Sequence, residues 1–173
     1  MSFTPSVRRL TGEDLNLVLH FDVRVFPAAD QWNEQTWHEE LTRSDRLYLG
    51  AFAGAQLIGM AGAYVNEHSD LLTIGTHPQW RGRSVASLLL DLLLDSLGKI
   101  NLSERAGEQT LPGGIEKPIR RVRKILLEVR ASNEKAIKLY ASRGFEIIGE
   151  IARYYHRPTE DAVIMERRIT PAK

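Results

Sequence analysis

Six residues, Gln79-Trp80-Arg81-Gly82-Arg83-Ser84, stand between a short apolar segment at 71–76 and a leucine-rich run that begins at Val85. Two arginines flank one glycine, and the loop opens directly into a helix-forming stretch, so backbone N–H groups and a helix start face one point. The first amides of a helix lack intrahelical acceptors, and the helix dipole favours negative charge there, which makes such a junction an anion site. Small residues at Gly82, Ser84, Ala86 and Ser87 would let a phosphate chain approach the backbone closely. The pattern therefore predicts a pyrophosphate cradle. It has neither the Gly-Lys-Ser/Thr of a Walker loop nor the three glycines of the dinucleotide fingerprint. A strand-to-helix joint that binds nothing is the ordinary alternative.

Three other residues have the chemistry for a site but not, by themselves, the context. Glu128 falls on the polar side of an alternating strand, where a glutamate is usually solvated. Tyr140 shares a helix side with Ala136, Ile137 and Ala141, which reads as core. Asn133 precedes that helix and is explained by N-capping. The five histidines (His20, His38, His68, His77, His156) show no metal-ligand spacing and no accompanying carboxylate cluster, so no metal is expected. With no cysteine in the chain, a thiol nucleophile, a disulfide framework and thiolate metal sites are excluded.

The elements that must position these residues follow from periodicity and punctuation. Residues 7–10 read as a short strand. Thr11 and Asp14 form a capping-box pattern before a helix expected to bury Leu15, Val18, Leu19 and Val23. Phe26-Pro27 breaks it, and a second helix at 34–43 carries Trp37 and Leu41 at i, i+4. Strands at 47–52 and 57–65 flank a hairpin signal at 53–56, and the strand at 71–76 leads into the cradle. In the helix that follows, Ser84, Ser87, Asp91 and Asp95 make one narrow polar stripe in a field of leucine, so it packs deep against a sheet. Residues 98–120 are rich in Gly, Pro, Ser, Glu and Lys and read as a flexible loop insertion. A strand at 121–129, a helix at 134–143 ended by Gly144 at C′, and strands at 145–151 and 161–169 joined through 153–160 complete the chain. The order β-α-α-β-β-β-α-β-α-β-β describes one α/β domain.

Composition limits the partners. The 173 residues carry a net charge of +1, with 43% hydrophobic and 26% charged residues, which is ordinary for a soluble globular chain. There is no global field for nucleic acid or an anionic membrane, and Arg120-Arg121-Val122-Arg123-Lys124 reads as a solvated basic run. Residues 1–10 lack the apolar segment of a secretory leader. The run 85–97 is too short to span a bilayer.

The element order, the cradle, the run Leu127-Glu128-Val129-Arg130-Ala131-Ser132-Asn133, the helix end Leu139-Tyr140-Ala141-Ser142-Arg143-Gly144-Phe145 and the late Arg153-Tyr154-Tyr155 followed by Asp161-Ala162 resemble the GNAT acetyltransferases. Within that family the chain looks most like the RimI-like group, which acetylates N-terminal alanine of ribosomal proteins. The resemblance implies a GNAT (acyl-CoA N-acyltransferase) fold: an α/β domain over 1–173, with a mixed, mostly antiparallel sheet of about seven strands and four flanking helices. It implies acetyl-CoA as co-substrate and no metal. The family loop Arg/Gln-x-x-Gly-x-Gly/Ala falls on Arg81, Ser84 and Ala86, so a serine stands where the family has its first glycine. Cofactor contacts are implied at Arg81, Gly82, Arg83, Ser84, Val85, Ala86 and Ser87, at Ile74, Gly75 and Thr76 along the pantetheine arm, and at Asn133 near the thioester. Glu128 corresponds to the general base and Tyr140 to the acid that protonates the leaving thiolate. Phe26, Pro27 and Trp32, with Tyr154 and Tyr155, flank the peptide groove. The implied acceptor is a protein or peptide N-terminus such as that of a ribosomal protein, in the cytoplasm, with no nucleic acid or membrane involved and the enzyme a monomer or homodimer. A small amine or lysine side chain as acceptor, or a non-catalytic acetyl-CoA-binding module, remains the alternative.

Overall fold

The computed structural model describes residues 4–100 and 121–170. Its elements follow the expected order: β1 (Ser6–Arg9), α1 (Leu15–Val25), α2 (Glu34–Thr42), β2 (Arg46–Ala53), β3 (Gln56–Tyr64), β4 (His68–Thr76), α3 (Val85–Lys99), β5 (Lys124–Arg130), α4 (Glu134–Ala141), β6 (Glu146–His156) and β7 (Thr159–Arg168). The seven strands form one sheet in the order β1-β2-β3-β4-β5-β7-β6. The β4–β5 pair is parallel, and β1–β2, β2–β3, β5–β7 and β6–β7 are antiparallel. The chain divides into two compact units, Met1–Tyr64 with Leu71–Leu93 and Val65–Asp70 with Leu94–Lys173.

In the first unit the apolar stripes of α1 and α2 bring Val18, Phe21, Trp37 and Leu41 onto Leu10, Tyr48, Phe52, Leu57 and Met60. The acid half of the expected capping box is present, with the Thr11 amide donating to the Asp14 carboxylate at 2.9 Å. Arg8 donates twice to the same carboxylate, at 2.6 and 2.9 Å, and holds it below the usual range. Val23 is not buried as expected but 66% exposed. It lies five residues beyond Val18, about 140° round a helix of 100° per residue, and Phe21 takes the inward place instead. β3 and α3 meet at Gly59, where a Cβ would stand 2.5 Å from Val85 Cγ1 and 3.0 Å from Leu89 Cδ1.

In the second unit β5 alternates as its sequence requires, with Ile125, Leu127 and Val129 buried and Leu126, Glu128 and Arg130 on the more open face. Several boundaries differ from expectation. The strand expected at 71 starts at His68, because His68–Asp70 pair in parallel with Lys124–Leu126. The strand expected from 121 starts at Lys124, the amide and carbonyl of Arg123 being used by the Glu67 carbonyl and the Ile169 amide. The expected connection at 153–160 is mostly strand: β6 runs to His156, β7 starts at Thr159, and only Arg157-Pro158 turns between them. A register shift between Ile151 and Tyr155 hides the alternation there. The loop expected from 98 begins inside α3, which runs to Lys99; its residues 101–120 lie outside the described residues.

Gly59→Ala is expected to force the first turn of α3 off β3. Overpacking of this kind destabilises by about 1–3 kcal/mol, read as a fall in Tm of several degrees on thermal unfolding. An unchanged Tm would show that the helix start is not seated by this contact.

Candidate active site

The cradle lies wholly in the first unit. After β4 the chain makes a single 3-10 turn, Pro78–Trp80, in which the Trp80 amide donates to the His77 carbonyl at 2.8 Å. Gly82 and Ser84 then take left-handed φ values of 74° and 58°. The first helical hydrogen bond runs from the Leu88 amide to the Ser84 carbonyl at 3.0 Å. The amides of Val85, Ala86 and Ser87 come before it and have no intrahelical acceptor. No heavy atom lies within 4 Å of a Cβ built on Gly82, so its backbone conformation, not crowding, calls for glycine. Arg81, Gly82, Arg83 and Ser84 are exposed, whereas the Val85 side chain is buried. Arg83 lies 5.0 Å over Trp80, and Arg81 Nε reaches the Thr76 carbonyl at 3.4 Å. An open loop with two left-handed residues, orphan amides and two cations fits a pyrophosphate.

The strand leading to the cradle is packed from one side by α1. A Cβ on Gly75 would stand 2.7 Å from Phe26 Cζ and 2.8 Å from Val25 Cγ1, so the end of α1 rests on the backbone beside Ile74 and Thr76. The hydroxyl of Thr76 and Nδ1 of His77 are buried there and have no hydrogen-bond partner among the described residues. Phe26 also meets Phe21 edge-on at 6.5 Å, Trp32 lies against Trp37 at 4.7 Å with the rings tilted by 41°, and Pro27 is exposed. Asp22 holds this α1–α2 loop: it is 2% exposed, it accepts the Trp32 amide at 3.2 Å, and burial pushes its carboxyl upward.

Glu128, Tyr140, Tyr154 and Tyr155 belong to the second unit. Asp70 pairs with Leu126 and so shares its face; Glu128, two residues on, is on that face too. The Glu128 carboxyl is pushed upward, first by partial loss of water and then by the negative charge of Asp70. Tyr140 is positioned by the end of α4. The Phe145 amide donates to the Tyr140 carbonyl at 3.2 Å and the Gly144 amide to that of Ala141 at 3.0 Å, the bond pair of a Schellman ending, with Gly144 at φ 77°. The apolar contact that accompanies such an ending is here Tyr140 on Phe145, 5.7 Å between ring centres. Tyr140 is 5% exposed; burial, and then Tyr155, push its phenol upward. Tyr154 is raised by burial and then by the charge of Glu128, and it meets Tyr155 edge-on at 5.1 Å. Asn133 caps α4, its Oδ1 accepting the Ala136 amide at 3.2 Å.

Asp70, which acts on the Glu128 carboxyl, and Asp22, which accepts the Trp32 amide, are two residues beside the candidates that the sequence pattern did not single out. The signal for Asp70 is the alternation Ser69 and Leu71 in, Asp70 out, which begins ahead of the strand expected at 71–76.

The acetyltransferase (GNAT) family model matches residues 14–109. An uncharacterized protein of Mycobacterium leprae is 33% identical over 163 residues, covering 91% of this chain but only 39% of that protein. The N-alpha-acetyltransferase RimI of Mycobacterium tuberculosis is 29% identical over 94% of this chain and 91% of its own length. The ribosomal protein bS18-alanine N-acetyltransferase of Escherichia coli is 30% identical over 92% of this chain and 95% of its own. A crystal structure of the ribosomal-protein-S18-alanine N-acetyltransferase from Escherichia coli superposes with a TM-score of 0.76 over 98% of this chain and 97% of that one, at 25% identity.

Ser84 sits in a conformation that an L-residue adopts at a cost of about 1–2 kcal/mol, part of which glycine gives back through its freer unfolded chain, roughly 0.5–1 kcal/mol. Ser84→Gly is therefore expected to raise Tm by a few degrees, and Ser84→Val, β-branched at positive φ, to lower it. Equal Tm values for the three proteins would contradict a strained residue 84.

Proposed function

The chain belongs to the acetyltransferase (GNAT) family, and on that footing we propose that it moves acetyl from acetyl-CoA to the N-terminal α-amine of a protein, alanine-starting and ribosomal as in its RimI relatives. The cradle of Arg81, Gly82, Arg83, Ser84, Val85, Ala86 and Ser87 takes the pyrophosphate. Ile74, Gly75 and Thr76 run along the pantetheine, and Asn133 lies towards the thioester. Phe26, Pro27, Trp32, Tyr154 and Tyr155 receive the peptide. Among the described residues no helix is long and apolar enough to cross a membrane, and the proposed place of action is the cytoplasm.

The observation that carries the reading is that one unit holds both a carboxylate on the open face of β5, Glu128, and a buried tyrosine at the end of α4, Tyr140. Direct attack forms a C–N bond to the acetyl carbon and breaks the C–S bond. Glu128 takes the proton that the attacking nitrogen must lose, directly or through water. A base works best when its pKa lies near the operating pH, so raising a carboxyl above its ordinary value improves it. Tyr140, held above the ordinary phenol value, keeps its proton throughout the neutral range. It hydrogen-bonds the sulfur as negative charge develops and protonates it as the thiolate leaves, a transfer that the upward shift of the phenol makes harder rather than easier.

Glu128 as the base also fits the acceptor. Only a neutral amine attacks, and an α-amine near pKa 8 is about 3 kcal/mol easier to neutralise than a lysine near 10.4. Mass spectrometry of alanine-starting peptides, lysine peptides and polyamines incubated with the protein and acetyl-CoA separates the acceptors. Inert alanine peptides would sink this reading. Glu128→Gln is expected to lower kcat by about a hundredfold or more while leaving CoA binding intact.

The pH profile carries a sign. The base must be ionised, so activity rises with pH through the Glu128 pKa. Removing the Asp70 charge lowers that pKa, and Asp70→Asn is therefore expected to move the acidic limb of kcat/KM to lower pH. A limb that stays in place, or moves up, would remove Asp70 from the electrostatics of the base.

A further inference from the structure

β5 ends at Arg130, and its guanidinium meets the turn that joins β6 to β7. It lies 4.1 Å over the ring of Tyr155. Nη1 and Nη2 donate to the carbonyls of Pro158 and Arg157 at 3.4 and 3.5 Å. Nη1 stands 3.5 Å from the Glu160 carboxylate, the two side chains being only 19% and 18% exposed. Such a pair is removed from water enough to matter more than a surface ion pair. Glu160 also accepts the Ser132 amide at 2.6 Å, and Ala131 donates to the Asp161 carbonyl at 3.0 Å.

The β6–β7 ladder is interrupted before it reaches the tip held in this way, and resumes there over only two pairs, Tyr155 with Glu160 and His156 with Thr159. The β6–β7 ladder pairs Ile151 with Ala162 and then Tyr155 with Glu160, so residues 152–154 fall within the register shift. Arg153 takes φ 55° there, its amide donating to the Asp161 carboxylate at 2.7 Å. Apart from half-buried Tyr155, residues 152–159 are exposed. Arginine suits the task and lysine does not, because only a planar guanidinium can lie flat on a ring and fork to separate acceptors at once.

We propose that Arg130 is the positioning residue of the acceptor side, fixing the hairpin tip so that Tyr154 and Tyr155 present their phenol groups to an extended peptide carrying a free N-terminal amine. The inference rests on the N-terminal acetyltransferase reading above. Arg130 touches neither the transferred acetyl nor the attacking amine; it acts through the two tyrosines. Loss of the guanidinium frees the tip without disturbing α3 or the cradle.

The test compares wild type, Arg130→Met and Arg130→Lys, using an alanine-starting peptide, acetyl-CoA and amide hydrogen exchange on the ligand-free proteins. Arg130→Met is expected to raise the peptide KM about tenfold, with the acetyl-CoA KM within about twofold of wild type. Exchange at residues 153–159 should quicken by about tenfold or more while residues 85–99 keep their protection. Arg130→Lys should restore little of either. Unchanged exchange at the tip overturns the inference, as does a rise of both KM values together, which is the mark of a merely structural role. If wild type leaves the peptide unacetylated, the acceptor reading fails on its own, and exchange still decides whether Arg130 holds the tip.

Discussion

The seat of α3 on β3 is the constraint on which the cradle depends. With Gly59 bare, Val85 and Leu89 come onto the sheet at distances no side chain would permit. Burial of Val85, Leu89, Leu90 and Leu93 then fixes the helix in rotation as well as distance. Helix amides point along the axis toward the N-terminus, so fixing the axis fixes where the orphan amides converge. Gly82 and Ser84 only have to bend the chain so that nothing stands in front of them. The same economy recurs at Gly75, whose missing side chain lets Phe26 and Val25 rest on β4. Bare backbone on β3 and β4 thus brings the helix start and the α1–α2 loop to fixed places in the first unit.

In the second unit position follows from alternation and from one helix ending. Glu128 is on the open face of β5 because Leu127 and Val129 are committed to the core on either side of it. Moving it by one residue would invert the strand and bury the charge. Tyr140 is fixed differently, by the Schellman bonds that turn the chain and fold Phe145 back on its ring. A buried phenol with little rotational freedom is suited to donating toward one point. Its proton is secure because burial penalises the phenolate far more than the phenol.

Most of this order was legible from periodicity and punctuation. The leucine helix, the alternation of β5, the cap at Asn133 and the stop at Gly144 are local signals with local causes, and all recur in the structure. The strand boundaries misread around 68, 124 and 153–160 share one cause: long-range pairing decides them. His68 is strand because Lys124 lies beside it, and the β6 shift is invisible without β7. The pairing of Asp70 with Leu126, which puts it on the face of Glu128, is likewise a product of register, as is the grip of Arg130 on a turn 27 residues later. Ser84 was legible as a departure from glycine but not as a conformation. Only the structure puts the serine at the left-handed φ that glycine would have taken.

Ser84 and Arg153 are the two non-glycine residues with positive φ among the described residues, and their placement is informative. Each is strained by about 1–3 kcal/mol, and each is held by a bond that the strain makes possible. The Ser84 carbonyl accepts the first helical bond of α3, and the Arg153 amide reaches the Asp161 carboxylate at 2.7 Å. Neither is in a core, where repacking could relieve it. One opens the candidate anion cradle and the other lies in the register shift of β6 just before the tyrosine pair, so the two departures from comfortable backbone fall on the segments proposed for the two substrates. Strain in a loop persists only when the surroundings over-determine it, here Gly59 beneath one and Arg130 with Asp161 around the other. On the proposed assignment of donor and acceptor, segments that are both pre-set need little reordering when ligands arrive, and the binding free energy then goes into holding the amine and the thioester in place rather than into ordering the chain.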